Sequence, residues 1–202
     1  MANPTGAFGL SPVRNLDGSP YNGATVPCWV SSNYATALFV GDPVLLSPTL
    51  TEKDPTGTMY TINASDGLSG SIIRGVIVSF EPVDNESKVY RPASTNRIAH
   101  VCMDPDVVYQ IRGDGGGTLT SVVPGQNAVM IATASGSTTT GISGFHLDEG
   151  TTTAQDTTQA FTLHILGIVD DPKNELGDNM VYEVLLNIIE LAAGRFLGIT
   201  AA

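Results

Sequence analysis

From Cys28 to Ile189 the chain keeps alternating short apolar runs rich in Val and Ile with clusters of Gly, Pro, Asp, Ser and Thr. This alternation constrains the fold more than any other feature, because β-branched runs bounded by turn formers read as strands joined by loops. The clearest runs are Leu38 to Val40, Val44 to Leu46, Ile72 to Phe80, Ile98 to Met103, Val107 to Ile111, Val129 to Ala134, Phe161 to Val169 and Val181 to Ile189. In Phe161-Thr162-Leu163-His164-Ile165 apolar and polar residues alternate, as in a strand with one wet face. The last run carries Leu and Glu that also suit a helix. It reads as a strand, with a helical tail near Leu191. The expected fold is all-β, a compact β-barrel or sandwich-like (tulip-like) domain with an extended N-terminal arm and long loops.

The arm is residues 1–25, where Gly, Pro and Asn recur and Phe8, Leu10, Val13 and Leu16 follow neither a helical nor a strand period. Such a segment is either disordered alone or ordered where a neighbour buries its apolar residues. Residues 26–202 form one β-rich domain, since 202 residues can bury one substantial core. Within it, residues 134–160 are dominated by Thr, Ser and Gly and read as a long loop or an irregular edge hairpin.

Charge narrows the partners. Nine Lys and Arg against 20 Asp and Glu give a net charge of −11. An acidic surface repels phosphate backbones and anionic membranes, so no nucleic acid and no membrane is expected as a partner. No apolar run approaches the ~20 residues of a spanning helix. Charged residues make up only 14% of the chain, against roughly a quarter in ordinary soluble domains. That fits a surface partly covered by neighbours, and equally a neutral secreted β-domain. The start, Met1 to Gly6, has neither a basic nor an apolar leader region, which sets the expectation of maturation in the cytosol. Cys28 and Cys102 lack C-x-x-C spacing and read as buried thiols.

Motifs of chemistry are sparse. His100, His146 and His164 occur singly, without the pairing that places two imidazoles on one metal. Gly113-Asp114-Gly115-Gly116-Gly117 lacks the Lys-Ser/Thr ending of a phosphate loop, and Gly141-Ile142-Ser143-Gly144 departs from the nucleophile elbow. Asp104-Pro105-Asp106 and Asp170-Asp171-Pro172 place carboxylates where Ca²⁺ could bind, though Asp is favoured in turns for its own backbone bonds. Arg112-Gly113-Asp114 and the glycosylation-type triplets at Asn63 and Asn85 carry too little information to assign a role. Trp29 and Tyr34, with Tyr21, suggest an aromatic platform for sugar; a lone Trp at a strand start more often anchors a core or an interface. The expectation is therefore no enzyme, no cofactor and no metal.

Several collinear stretches carry a resemblance: Gly9-Leu10-Ser11-Pro12-Val13-Arg14 with Leu16-Asp17-Gly18-Ser19-Pro20, and Ala37-Leu38-Phe39-Val40-Gly41-Asp42-Pro43-Val44. Further on come Arg74 to Pro82, Tyr90-Arg91-Pro92-Ala93-Ser94-Thr95, Asp104-Pro105-Asp106 with Val108-Tyr109-Gln110-Ile111, and Gly141-Ile142-Ser143-Gly144 with Leu147-Asp148. Together they resemble the capsid decoration, or cement, proteins of tailed bacteriophages. Arg112 and Gly113 depart from the pattern, standing where similar proteins tend to carry an acidic residue. The resemblance implies a structural virion protein, often a homotrimer, made in the host bacterial cytoplasm and bound to the outer capsid surface. Its partner there would be the major capsid protein, whose subunits it bridges. Negative charge suits the outside of a shell packed with DNA. The expected contacts are Phe8, Leu10 and Val13, with Arg14 pairing to a capsid carboxylate, and Trp29 as an anchor. The alternative is a receptor- or carbohydrate-binding β-module of a phage tail or fibre.

Overall fold

The computed structural model describes residues 3–47, 53–84, 87–116, 124–132, 135–150, 155–156 and 160–190, and all regular structure among them is β. Five strands close into a barrel: β2 (Val26–Val30), β4 (Tyr60–Ala64), β3 (Pro43–Leu46), β5 (Gly75–Phe80) and β6 (Arg97–Cys102), in that order around the wall. The β2 and β4 strands run parallel and the other neighbours antiparallel. Because side chains alternate across a strand, one face of each fills the lumen. Cys28, Val30, Val44, Ile62, Ile77, Ala99 and Val101 do so, joined by Leu38 from a loop.

A six-stranded antiparallel sheet packs beside the barrel, in the order β1 (Ser11–Asn15), β7 (Val107–Arg112), β13 (Val181–Leu186), β12 (Leu163–Ile168), β8 (Asn127–Ala128), β11 (Gln155–Asp156). A hairpin of β9 (Met130–Ala132) and β10 (Phe145–Leu147) completes the architecture. The second core lies here, around Tyr109, Ile111, Met130, Leu163, Ile165, Tyr182 and Val184. Strands β5 and β6 join the two cores through their pleat. Ile77 and Val101 face the barrel lumen, whereas their neighbours Val76 and Cys102 face the sheet. Burial on both faces explains why these two strands read as near-continuous apolar runs.

The all-β reading holds, and most runs fall on strands. Leu38 to Val40 is an exception: it forms isolated bridges from Leu38 to Arg91 and from Val40 to Ile142. Strands β1, β2, β4, β8, β10 and β11 lie outside the runs named from sequence. Pro12 sits in β1 and Pro27 in β2, and proline argues against a strand unless it lies at an edge or bulge. In β1 that condition is met, for the strand is an edge and its register slips between Pro12 and Arg14. The Thr-rich stretch 134–160 holds β10 and β11; residues 134, 151–154 and 157–159, like the expected tail near Leu191, lie outside the described residues. Cys28 and Cys102 are free and buried, and burial pushes the Cys28 thiol up to about 12, a poor nucleophile at neutral pH.

Candidate functional site

Five of the stretches that carry the resemblance, far apart in sequence, meet at one junction between barrel, arm and hairpin. The Leu10 amide donates to the Gly41 carbonyl at 3.0 Å, and the Gly41 amide to Ile77 of β5 at 2.8 Å. Leu38 and Arg91 exchange backbone bonds at 2.9 Å, and Ser143 donates to the Val40 carbonyl at 2.9 Å. Gly41 has φ +93°, and a Cβ there would lie 2.6 Å from the Phe8 carbonyl oxygen. Only glycine combines that backbone conformation with so close an approach.

Irregular backbone buried in this way needs donors, and charged side chains supply them. Arg91 is fully buried, and its guanidinium donates to the carbonyls of Thr95 at 2.8 Å, Thr36 at 2.5 Å and Ser31 at 2.6 Å while lying over the Tyr34 ring. Arg97 donates to the carbonyls of Glu81 and Tyr90 from above the Phe80 ring. Asp42 accepts the Phe39 amide at 2.8 Å and is only 6% exposed. Burial raises its carboxyl to about 6, against the opposing pull of bonds from Ser143 and Phe39. A comparable latch sits on the sheet side. Glu149, fully buried, accepts the Tyr182 hydroxyl at 2.7 Å and the amides of Gly115 and Asn179. Burial raises its carboxyl too. A Cβ on Gly113 would strike Glu149 Oε1 at 1.9 Å, so the glycine-rich loop is folded around a carboxylate of the protein itself.

Against the junction lies a cavity of about 740 Å³, walled by Tyr34, Phe39, Leu68, Ile131 and Phe145 with Asp42 and Asp66 among its lining residues. Gly136 of the loop after β9 packs on the Phe39 ring, which in turn stacks on Tyr90 at 5.1 Å. The size and apolar lining are those of a binding pocket.

The residues singled out from sequence are scattered. Leu10 is 1% exposed within the sheet core, and Phe8 lies under the Arg112 guanidinium, 5.2 Å from its ring centroid. Val13 accepts the Tyr21 amide through its carbonyl, and Arg14 pairs with Glu183 of β13 at 2.6 Å. The arm is thus docked along its own chain, with Asn3 bonded to the backbone of Glu175 and Asp178. Trp29 stands apart on β2, half-buried, opposite Ile98 of β6. Tyr21 packs on the sheet core and Tyr34 on the barrel core, so the three aromatic residues form no common platform. His100 and His164 are half-buried strand residues, His164 facing Asn127 at 2.7 Å. Asp104 accepts the Asp106 amide and Asp171 the Lys173 amide, both as turn caps. No group of three His, Cys, Asp or Glu side chains is placed to hold a metal ion among the described residues.

Asp42, Arg91 and Glu149 are what sequence reasoning missed. Nothing in Ala37 to Val44 marks Asp42 as buried, because Gly-Asp-Pro is also an ordinary turn. A signal did exist for Arg91, an arginine flanked by Tyr90 and Pro92 in a stretch otherwise poor in charge. Compared with known family models, curated proteins and solved structures, the chain matches none.

Proposed function

We propose that this chain is a structural virion protein that binds the outer surface of a tailed-phage head and bridges major capsid subunits, self-associating as a homotrimer. The observation that carries the reading is the junction: the stretches that resemble decoration proteins converge there and are pinned by buried charge. Rigid loops lose little freedom on docking, and a pre-organised face therefore binds more tightly than a floppy one of equal area. Val89 and Ile142 are left at its surface, 55% and 38% exposed, as apolar side chains that a partner would cover. The buried ionisable groups hold backbone in place, a use suited to adhesion.

Binding to the expanded shell in preference to its precursor would stabilise the expanded state by the free energy of binding, shared over many copies. Mass spectrometry of purified virions tests this directly: the chain is expected in fixed stoichiometry to the major capsid protein, and its absence from intact particles overturns the proposal. The reading of a receptor- or carbohydrate-binding module of a tail or fibre draws on the aromatic cavity wall of Tyr34, Phe39 and Phe145. Glycan affinity without head occupancy would favour it.

A further inference from the structure

The cavity beside the junction combines an apolar wall with unbalanced charge. Asp42 and Asp66 line it, and no lysine or arginine does among the described residues. Asp42 is 6% exposed and, among the described residues, lacks a cationic partner on each side that packs against it. Gly9 and Leu10 of the arm, Ile77 of β5 and Ser143 of the hairpin loop carry no charge. Arg91, across the Tyr34 ring, is bonded to three carbonyls. Asp66 accepts the Leu68 amide and the Ser71 hydroxyl, and is exposed at the rim. A carboxylate held in an apolar pocket without a counter-ion is completed by a cation arriving with an apolar body.

We propose that this cavity receives a segment of a partner protein carrying a large apolar side chain next to a lysine or arginine, with the apolar group against Phe39, Ile131 and Phe145 and the cation on Asp42. The inference rests on the adhesive reading above and names the contact it uses. Leu68, 49% exposed at the mouth, would close over the entering side chain. Since burial raises the Asp42 carboxyl to about 6, the occupant binds its ionised form and lets go as pH falls through that value.

Two probes test it on the full chain: acetyl-Phe-Lys-amide and acetyl-Phe-Glu-amide, titrated at pH 7.5 while the NMR signals of Phe39 and Phe145 are followed. The Lys peptide is expected to bind about tenfold more tightly. Asp42→Asn should erase that preference, Leu68→Ser should weaken both peptides, and acidification to pH 5 should act like Asp42→Asn. Equal binding of the two peptides, no shift from either, or a preference indifferent to Asp42→Asn overturns the inference. Occupancy on purified heads separates the layers. Wild-type decoration that survives both substitutions removes the cavity from the interface and leaves the adhesive function standing. Lys-selective binding by a chain that never decorates heads does the reverse.

Discussion

The barrel and the junction are both buried, yet they are held by opposite means. The barrel is a ladder of backbone bonds around a lumen of Val, Ile, Leu, Ala and Cys, and not one of these buried side chains carries a charge. At the junction the backbone is irregular, and Arg91, Arg97 and Asp42 supply donors and acceptors that a regular sheet would have provided itself. The difference predicts unequal sensitivity. Apolar trimming in the barrel removes contacts in proportion to volume, whereas removing the Arg91 guanidinium takes a donor from three backbone carbonyls at once.

The largest effect should come from Arg91→Met. It removes the guanidinium from the carbonyls of Ser31, Thr36 and Thr95, although Ser31 keeps the Tyr34 amide and both threonines lie at exposed positions. A bond to a charged donor contributes about 1.5–3 kcal/mol, so a total of roughly 3–5 kcal/mol is expected by urea unfolding. Arg91→Lys should recover little of this, because a point ammonium does not reach three divergent carbonyls as the planar fork does. A loss below about 1 kcal/mol would mean that water replaces the guanidinium and that the junction is looser than described.

Second comes Asp42→Asn, with the opposite sign. The native carboxyl titrates near 6 and the unfolded one near 3.8, so at pH 7.5 the ionised native form carries a penalty on the order of 2–3 kcal/mol. The native state takes up a proton that the unfolded chain does not as pH falls from about 6 to 4, and the wild type gains stability through that window. Asparagine keeps an acceptor for the Phe39 amide and gives up the charge. The variant is therefore expected to unfold at higher urea than the wild type at pH 7.5 and to converge on it below pH 4. Equal unfolding midpoints at pH 7.5 would place a cation beside Asp42 after all.

The same contrast explains what the sequence made legible. Barrel and sheet strands announce themselves because burying a regular strand needs only apolar side chains at the right period, and β5, β6, β7, β12 and β13 were all readable on that basis. Strand β4, Tyr60-Thr61-Ile62-Asn63-Ala64, hid because it turns only Ile62 fully inward and shows polar residues on alternate positions. The arm was harder, since Leu10 enters the core as a single side chain with no period around it. The junction was illegible in kind: its polar residues look like surface turns until the fold brings five distant segments together. Resemblance pointed to those stretches without revealing that they touch.

Third is Ile77→Val in the barrel lumen. Removing one buried methylene costs about 1 kcal/mol, and the loss should be the same at pH 5 and pH 7.5, because no titrating group shares that core in its charged form. Should the penalty instead vary with pH in step with Asp42, the barrel and junction would be coupled through the Gly41–Ile77 bond rather than independent.

The smallest effect on stability belongs to Arg14→Gln, and it is the most informative about function. The Arg14–Glu183 pair is short at 2.6 Å, but its side chains remain 34% and 24% exposed. Solvent screening then limits its worth to about 0–1 kcal/mol. Unfolding by urea should barely register the change. Head occupancy need not follow. An arginine that leaves Glu183 for a capsid carboxylate exchanges one partner for another that is dehydrated on docking, and its loss would then weaken binding far more than it weakens the fold. Occupancy unchanged by Arg14→Gln would instead fix Arg14 as a pin between β1 and β13, and would shift the search for the contact to the junction face where Val89 and Ile142 stand exposed.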